Sequence, residues 1–170
     1  MRKLIAGAFV SLDGVMQAPG GPDEDPTGGF DLGGWTATYW DEVMGEAAGE
    51  IYGRPFDLLL GRKTYEIFAA HWPYSDEQPI ADQLNNARKY VATRGSDPLA
   101  WANSVAIHDA AADVARLKQE DGPDLMTQGS SDLLRTLFAR DLVDQLNLLI
   151  FPVVLGKGKR LFDSGAAPGA

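Results

Sequence analysis

The sequence predicts an α/β fold, a mixed and mostly parallel central sheet flanked by helices, and two observations carry that prediction. Apolar strand-like runs alternate with helical patterns along the chain, the order that right-handed strand-helix-strand crossovers generate. Most of these runs are also too apolar for a sheet with one wet face, so helices are expected on both faces.

The first element, "KLIAGAFVSLDG" (Lys3 to Gly14), is an apolar run stopped by Asp13-Gly14, residues that favour a turn. Next comes "QAPGGPDEDPTGGFDLGGW", Gln17 to Trp35, dense in Gly, Pro and Asp and therefore a long loop. Such loops inside compact domains are lids, binding loops or disordered, and Phe30 and Trp35 add aromatic surface suited to a planar ligand. A helical pattern spans Thr38 to Ile51, followed by the buried strand "DLLL" and further helical stretches at Thr64 to Phe68 and Ile80 to Ala87. "KYVAT" (Lys89 to Thr93) and "SVAIH" (Ser104 to His108) read as strands, and Ala110 to Glu120 as a helix with Val114 and Leu117 on one face. "DLMTQG" (Asp124 to Gly129), a helix over Ser131 to Arg140 and the run "QLNLLIFPVVLG" (Gln145 to Gly156) complete the pattern.

With 170 residues, 45% of them hydrophobic, the chain fits one domain, residues 1–170, with neither an internal repeat nor a linker. A net charge of -9 argues against broad affinity for nucleic acid or an anionic membrane, both of which need excess Lys and Arg. With no cysteine there is no disulfide, Cys-ligated zinc or thiol nucleophile, and His71 and His108 stand far apart, so no metal site is expected. The strand pattern starts at Arg2 and no apolar run approaches the roughly 18 residues of a membrane span, which predicts a cytoplasmic protein.

In "DLLLGRKTYEIF" (Asp57 to Phe68) a strand ends in Gly and a helix begins, the place where α/β sheets bind anions through free N–H groups and the helix dipole. Gly61, Arg62, Lys63 and Thr64 therefore read as phosphate ligands. The competing reading is a plain helix start, capped by Thr64, with two solvated cations. Cations there oppose the dipole, and a bound anion would reverse that cost. A Walker loop is excluded because position 56 is Phe and Arg62 separates Gly61 from Lys63; a GxGxxG fingerprint is also missing.

"LLLGRKTYE" resembles the cofactor-phosphate segment of the dihydrofolate reductase fold. "FVSLDGVMQAPGG" (Phe9 to Gly21), "KYVATRG" (Lys89 to Gly95) and "LMTQGSSDLLRTLFARDLVDQLNLLIFPVVLGKGKRLF" (Leu125 to Phe162) extend the likeness over nearly the whole chain. Together they resemble the subfamily related to the reductase domain of bifunctional riboflavin-biosynthesis enzymes, the RibD C-terminal type. The deaminase domain of those enzymes, with its zinc ligands, has no counterpart in these 170 residues, so a stand-alone member with its own substrate is expected. The family continues into further strands where this sequence reaches Ala170, which predicts an altered sheet edge.

The resemblance implies NADPH as cofactor, with Thr93, Arg94 and Gly95 at the adenosine ribose and Arg94 suited to a 2′-phosphate; the alternative is a plain surface turn. It places Gln128, Gly129, Ser130 and Ser131 at the pyrophosphate, while the same serines also read as helix caps. Asp13 is implied to lie near substrate, or else to shape its turn with Gly14. Asp41 resembles the carboxylate of dihydrofolate reductases more loosely and otherwise reads as an exposed helix-terminal acid. Trp35 and Trp40 either line the substrate pocket or pack the core. Leu155 to Arg160 reads as a structural turn and His71 as a helix-terminal cation. The implied activity is NADPH-dependent reduction, by hydride transfer, of a small heterocycle resembling a pterin or riboflavin precursor, in a homodimer. The alternative is a non-catalytic nucleotide-binding dimer or sensor.

Overall fold

The computed structural model describes residues 1–162. Six strands form one sheet: β1 (Leu4–Ser11), β2 (Phe56–Gly61), β3 (Lys89–Ala92), β4 (Ser104–Ile107), β5 (Asp124–Gln128) and β6 (Gln145–Phe151), in the order β4-β3-β2-β5-β1-β6. Every pairing between these strands is parallel. Antiparallel character, which the sequence predicts for part of a mixed sheet, is confined among the described residues to one bridge, Val15 with Arg160. The altered edge expected near Ala170 falls on residues outside those described.

Five α-helices connect the strands: α1 (Glu42–Tyr52), α2 (Arg62–His71), α3 (Ile80–Asn86), α4 (Ala110–Gln119) and α5 (Ser131–Ala139). The helical pattern from Thr38 divides at Asp41, whose extended backbone lets its carboxylate accept from Met44 N at 2.8 Å and start α1 afresh. Helix α2 begins two residues before the expected Thr64, with Gly61 as its extended N-cap residue. Thr64 is thus the third residue of α2 and not its cap.

Leu58, Leu59 and Leu60 explain the apolar runs: all three are fully buried, and alternation sends Leu59 to one face and its neighbours to the other. On one face Leu4, Ala6, Ala8 and Val10 of β1 pack with Val114 and Leu117 of α4 and Leu133, Leu134 and Leu137 of α5. On the other, Leu58, Leu60 and Met126 pack with Tyr52, Tyr65, Leu84 and Trp101. A satellite core of Val15, Ala18, Phe30, Trp35 and Phe151 fastens the long loop to β6. Because the strands run parallel, the carboxyl ends of β1 to β5 emerge along one edge. Among the described residues no helix is long and apolar enough to cross a membrane.

Candidate active site

At that edge lies a cleft of 1870 Å³. Its walls come from the loop residues Met16 to Asp25, one face of α1, the starts of α2 and α5, and the ends of β3 and β4 at Ala92 to Arg94 and Ile107 to Asp109. Gly61, Arg62, Lys63, Thr64, Thr93, Arg94, Gln128, Gly129, Ser130, Ser131 and Trp40, all singled out in the sequence, line it. Gly95 sits one residue beyond, its N–H donating to Thr93 Oγ1 at 3.1 Å.

The starts of α2 and α5 meet in the cleft. Gly129 and Ser130 both take left-handed conformations (φ 64 and 62), turning the chain sharply from β5 into α5. Such a φ is easy for glycine and costs serine on the order of 1 kcal/mol. Ser130 Oγ accepts from Gly61 N at 3.0 Å and donates to Thr64 Oγ1 at 2.9 Å, so it joins the two helices and caps neither. Neither helix has a side-chain cap, which corrects the reading of Ser130 and Ser131 as caps. Gly61 eases this approach, since a Cβ there would lie 3.3 Å from Ser130 Oγ and the serine would have to give way by a few tenths of an ångström. Gly129 N–H is already used, donating to Gly7 O at 3.0 Å.

The two cations at α2 are not free in solvent. Arg62 Nε donates to Glu66 at 2.7 Å and Nη1 to Asp97 O at 3.2 Å, and Lys63 Nζ lies 2.5 Å from Asp25 Oδ1. Arg94, by contrast, is exposed and has no ion-pair partner among the described residues. Its turn is held by Gly95 N and by His108 Nδ1, which donates to Thr93 O at 2.9 Å.

Asp25 escaped the sequence reading because its partners lie far along the chain. Its carboxylate bridges Lys63 and Lys159, the latter at 2.7 Å, and accepts from Thr27 Oγ1. Burial alone would push the Asp25 carboxyl up; the bonds from Lys159, Lys63 and Thr27 reverse that and hold it well below the usual carboxylate range. Gln17 completes the frame, donating to Asp25 O and Thr27 O at 2.9 Å each and accepting from Lys159 N at 2.9 Å. Asp25→Ala is expected to cost about 1 to 2 kcal/mol, because both lysines are partly in water and screened. Hydrogen exchange should show faster opening confined to the loop; unchanged loop protection would rule the bridge out as its fastening. Asp23 and Glu24 of the same loop also line the cleft, and the Glu24 carboxyl is pushed up by burial although Gly20 and Gly21 N–H groups donate to it.

Three predicted site residues are placed elsewhere. Asp13 does not line the cleft: its carboxylate accepts from Ser11 Oγ (2.6 Å), Leu155 N (3.1 Å) and Gly156 N (2.8 Å), with Arg160 beside it. The Ser11 hydroxyl and the Leu155 N–H hold its carboxyl far below the usual range, so it is a permanent acceptor that clamps the turn after β6. Asp41 also lies off the cleft wall, occupied as the N-cap of α1. Trp35 is 8% exposed, donates Nε1 to Gln17 O at 2.8 Å and packs edge-on against Phe151; it belongs to the satellite core. Asp13→Asn is expected to lower the thermal midpoint, since an amide cannot accept the same N–H pair, while leaving ligand affinity in the cleft unchanged. A midpoint equal to wild type in scanning calorimetry would contradict the clamp.

The fold is shared with two solved structures. A dihydrofolate reductase from Enterococcus faecalis, complexed with NADP(H), superposes with a TM-score of 0.60 at 18% identity, covering 95% of this chain and 77% of that one. A putative riboflavin biosynthesis protein from Shewanella sp. PV-4 gives 0.58 at 19% identity, covering 98% and 86%. The α/β fold is therefore of the dihydrofolate reductase type. The RibD C-terminal domain family matches residues 2–169, and the chain belongs to it. Among curated relatives it is similar to two Bacillus subtilis (strain 168) proteins described as uncharacterized. YyaP is 26% identical over 95% of this chain and 80% of its own length, and YwjB 29% identical over 95% and 83%.

Proposed function

We propose that the cleft binds NADPH and that the protein reduces a small heterocycle, of pterin or riboflavin-precursor type, by hydride transfer. One observation carries this reading: two helix starts without side-chain caps, α2 and α5, meet at the carboxyl edge of a parallel sheet beside Arg94, which has no ion-pair partner among the described residues. Uncapped N–H groups and a spare guanidinium suit the diphosphate and 2′-phosphate of such a cofactor. The NADP(H) complex of the Enterococcus faecalis relative and the family's link to riboflavin biosynthesis support it.

When bound, the cofactor supplies a hydride from its nicotinamide ring. In this reading Thr64, Ser130 and Ser131 hold the diphosphate, with Gly61 and Gly129 admitting close approach. Thr93, Arg94 and Gly95 hold the ribose phosphate. Arg62 and Lys63 contribute positive potential that Glu66 and Asp25 partly offset. A proton from solvent in the open cleft completes the two-electron reduction. The outer edge of β6, where Ile150 is 58% exposed and Leu148 also faces solvent, is the proposed homodimer contact, checked by light scattering.

Calorimetric titration tests the cofactor. NADPH is expected to bind more tightly than NADH, and Arg94→Ala to lose about 1.5 to 3 kcal/mol for NADPH alone. Equal affinities in the wild type would remove the 2′-phosphate assignment. The second reading, a nucleotide-binding sensor without turnover, is favoured by the positions of Asp13 and Asp41 off the cleft wall. Tight NADPH binding with no oxidation against pterins, flavin precursors or quinones would decide for it.

A further inference from the structure

On the sheet face opposite α4 and α5, the cleft runs between α1 and the carboxyl-terminal parts of β1, at Phe9, and β5, at Gln128. Helix α1 presents Gly45, Ala48, Gly49 and Tyr52 to it, at helical spacing, while Glu42, Glu46 and Glu50 lie off the lining. This wall is uncharged and roomy: a Cβ built at Gly49 would meet nothing within 4 Å. Phe9, edge-on to Trp40 with ring centroids 5.9 Å apart, supplies flat apolar surface.

Two polar groups in this part of the cleft have no partner among the described residues. Gln128, on the same face as Met126, lies across its register neighbour Gly7, where any Cβ would overlap its Oε1. Its amide makes no hydrogen bond although it lines the cleft. Tyr52 is 8% exposed, and its hydroxyl is likewise unpaired. Both groups open onto the cleft, where water pairs with them until a fitted ligand offers complementary donors and acceptors in its place.

We infer that this end of the cleft selects an uncharged planar heterocycle through a lactam edge, with Gln128 as the specificity-determining residue. A primary amide offers one N–H donor beside one carbonyl acceptor, the complement of an adjacent ring N–H and C=O. A cationic ring would need a carboxylate, and α1 offers none on this wall. The inference rests on the proposed substrate pocket and moves Gln128 from the cofactor set to the substrate.

The test is calorimetry with two probes of similar shape, a neutral pteridine-2,4-dione and a protonated 2,4-diaminopyrimidine, each with and without saturating NADPH. The dione is expected to bind at least about tenfold more tightly than the diaminopyrimidine, the worth of one well-made hydrogen-bonded pair. Gln128→Leu should remove about tenfold of dione affinity with NADPH affinity and thermal midpoint unchanged. Gln128→Glu should reverse the preference, since its carboxylate pairs with the cation. Equal binding of the two probes by the wild type, or the same preference in Gln128→Glu, overturns the inference. Failure of NADPH to bind, with the Gln128-dependent dione preference intact, overturns the cofactor reading and leaves this one standing.

Discussion

Asp57→Ala is expected to destabilise the fold by about 3 to 5 kcal/mol, the cost of leaving a buried charge without its partner. Arg2, whose side chain is 3% exposed, places Nη2 at 2.5 Å from Asp57 Oδ2 and donates Nε to Pro123 O. The pair thereby ties β2 to the turn that enters β5. Those are the two strands whose far ends present Gly61 and Ser130 to the cleft. Urea denaturation checks the magnitude. The double variant Arg2→Met with Asp57→Leu should recover most of the loss, because two apolar side chains need no ion pair. A cost below about 1 kcal/mol for Asp57→Ala would show that water reaches the guanidinium after all.

The second large effect is a rise in stability at alkaline pH, set by Lys89. Its side chain is fully buried in β3, donates Nζ to Asn85 O and Ala87 O at 2.8 Å each, and lies 4.2 Å from the Trp101 ring centroid. Neither acceptor is a carboxylate, and burial pulls the amine down to about 8 from an ordinary 10.5. Between those values the unfolded chain holds more protons than the folded one, so stability climbs as pH rises through that window. At neutral pH the charged amine therefore costs roughly 3 kcal/mol, most of which is regained by about pH 10.5. Unfolding free energies of wild type and Lys89→Met should differ in slope across the window, the methionine variant lacking this contribution. Identical slopes would show that Lys89 titrates as an ordinary surface lysine.

The strands and helices were legible because the signals that form them are local. "DLLL" is apolar at consecutive positions since both of its faces are covered, and Val114 and Leu117 lie on one face because a helix turns every 3.6 residues. Bounds moved only where a single side chain intervened, as when Asp41 capped α1. The cleft was legible for a similar reason, since residues that follow parallel strands must collect at one edge. Roles inside it were less so. Asp13 stands where the sequence places it, at the end of β1, yet its carboxylate is taken by N–H groups from Leu155 and Gly156 that only folding brings near. Gln128 reads in the sequence as part of a phosphate turn, and only the register of β5 shows that its side chain lies on the same sheet face as Met126.

By itself the sequence determined the α/β order, the apolar strands, the glycines that permit sharp turns and the residues gathered at the carboxyl edge, since period, apolarity and turn chemistry act over a few neighbouring positions. Which charges are free was decided by tertiary structure alone. Asp25 claims Lys63 and Lys159 across the loop, while among the described residues Arg94 has no ion-pair partner and the amide of Gln128 no hydrogen bond. A side chain's availability depends on every group that folding brings within a few ångströms, and separation along the chain carries no record of that distance.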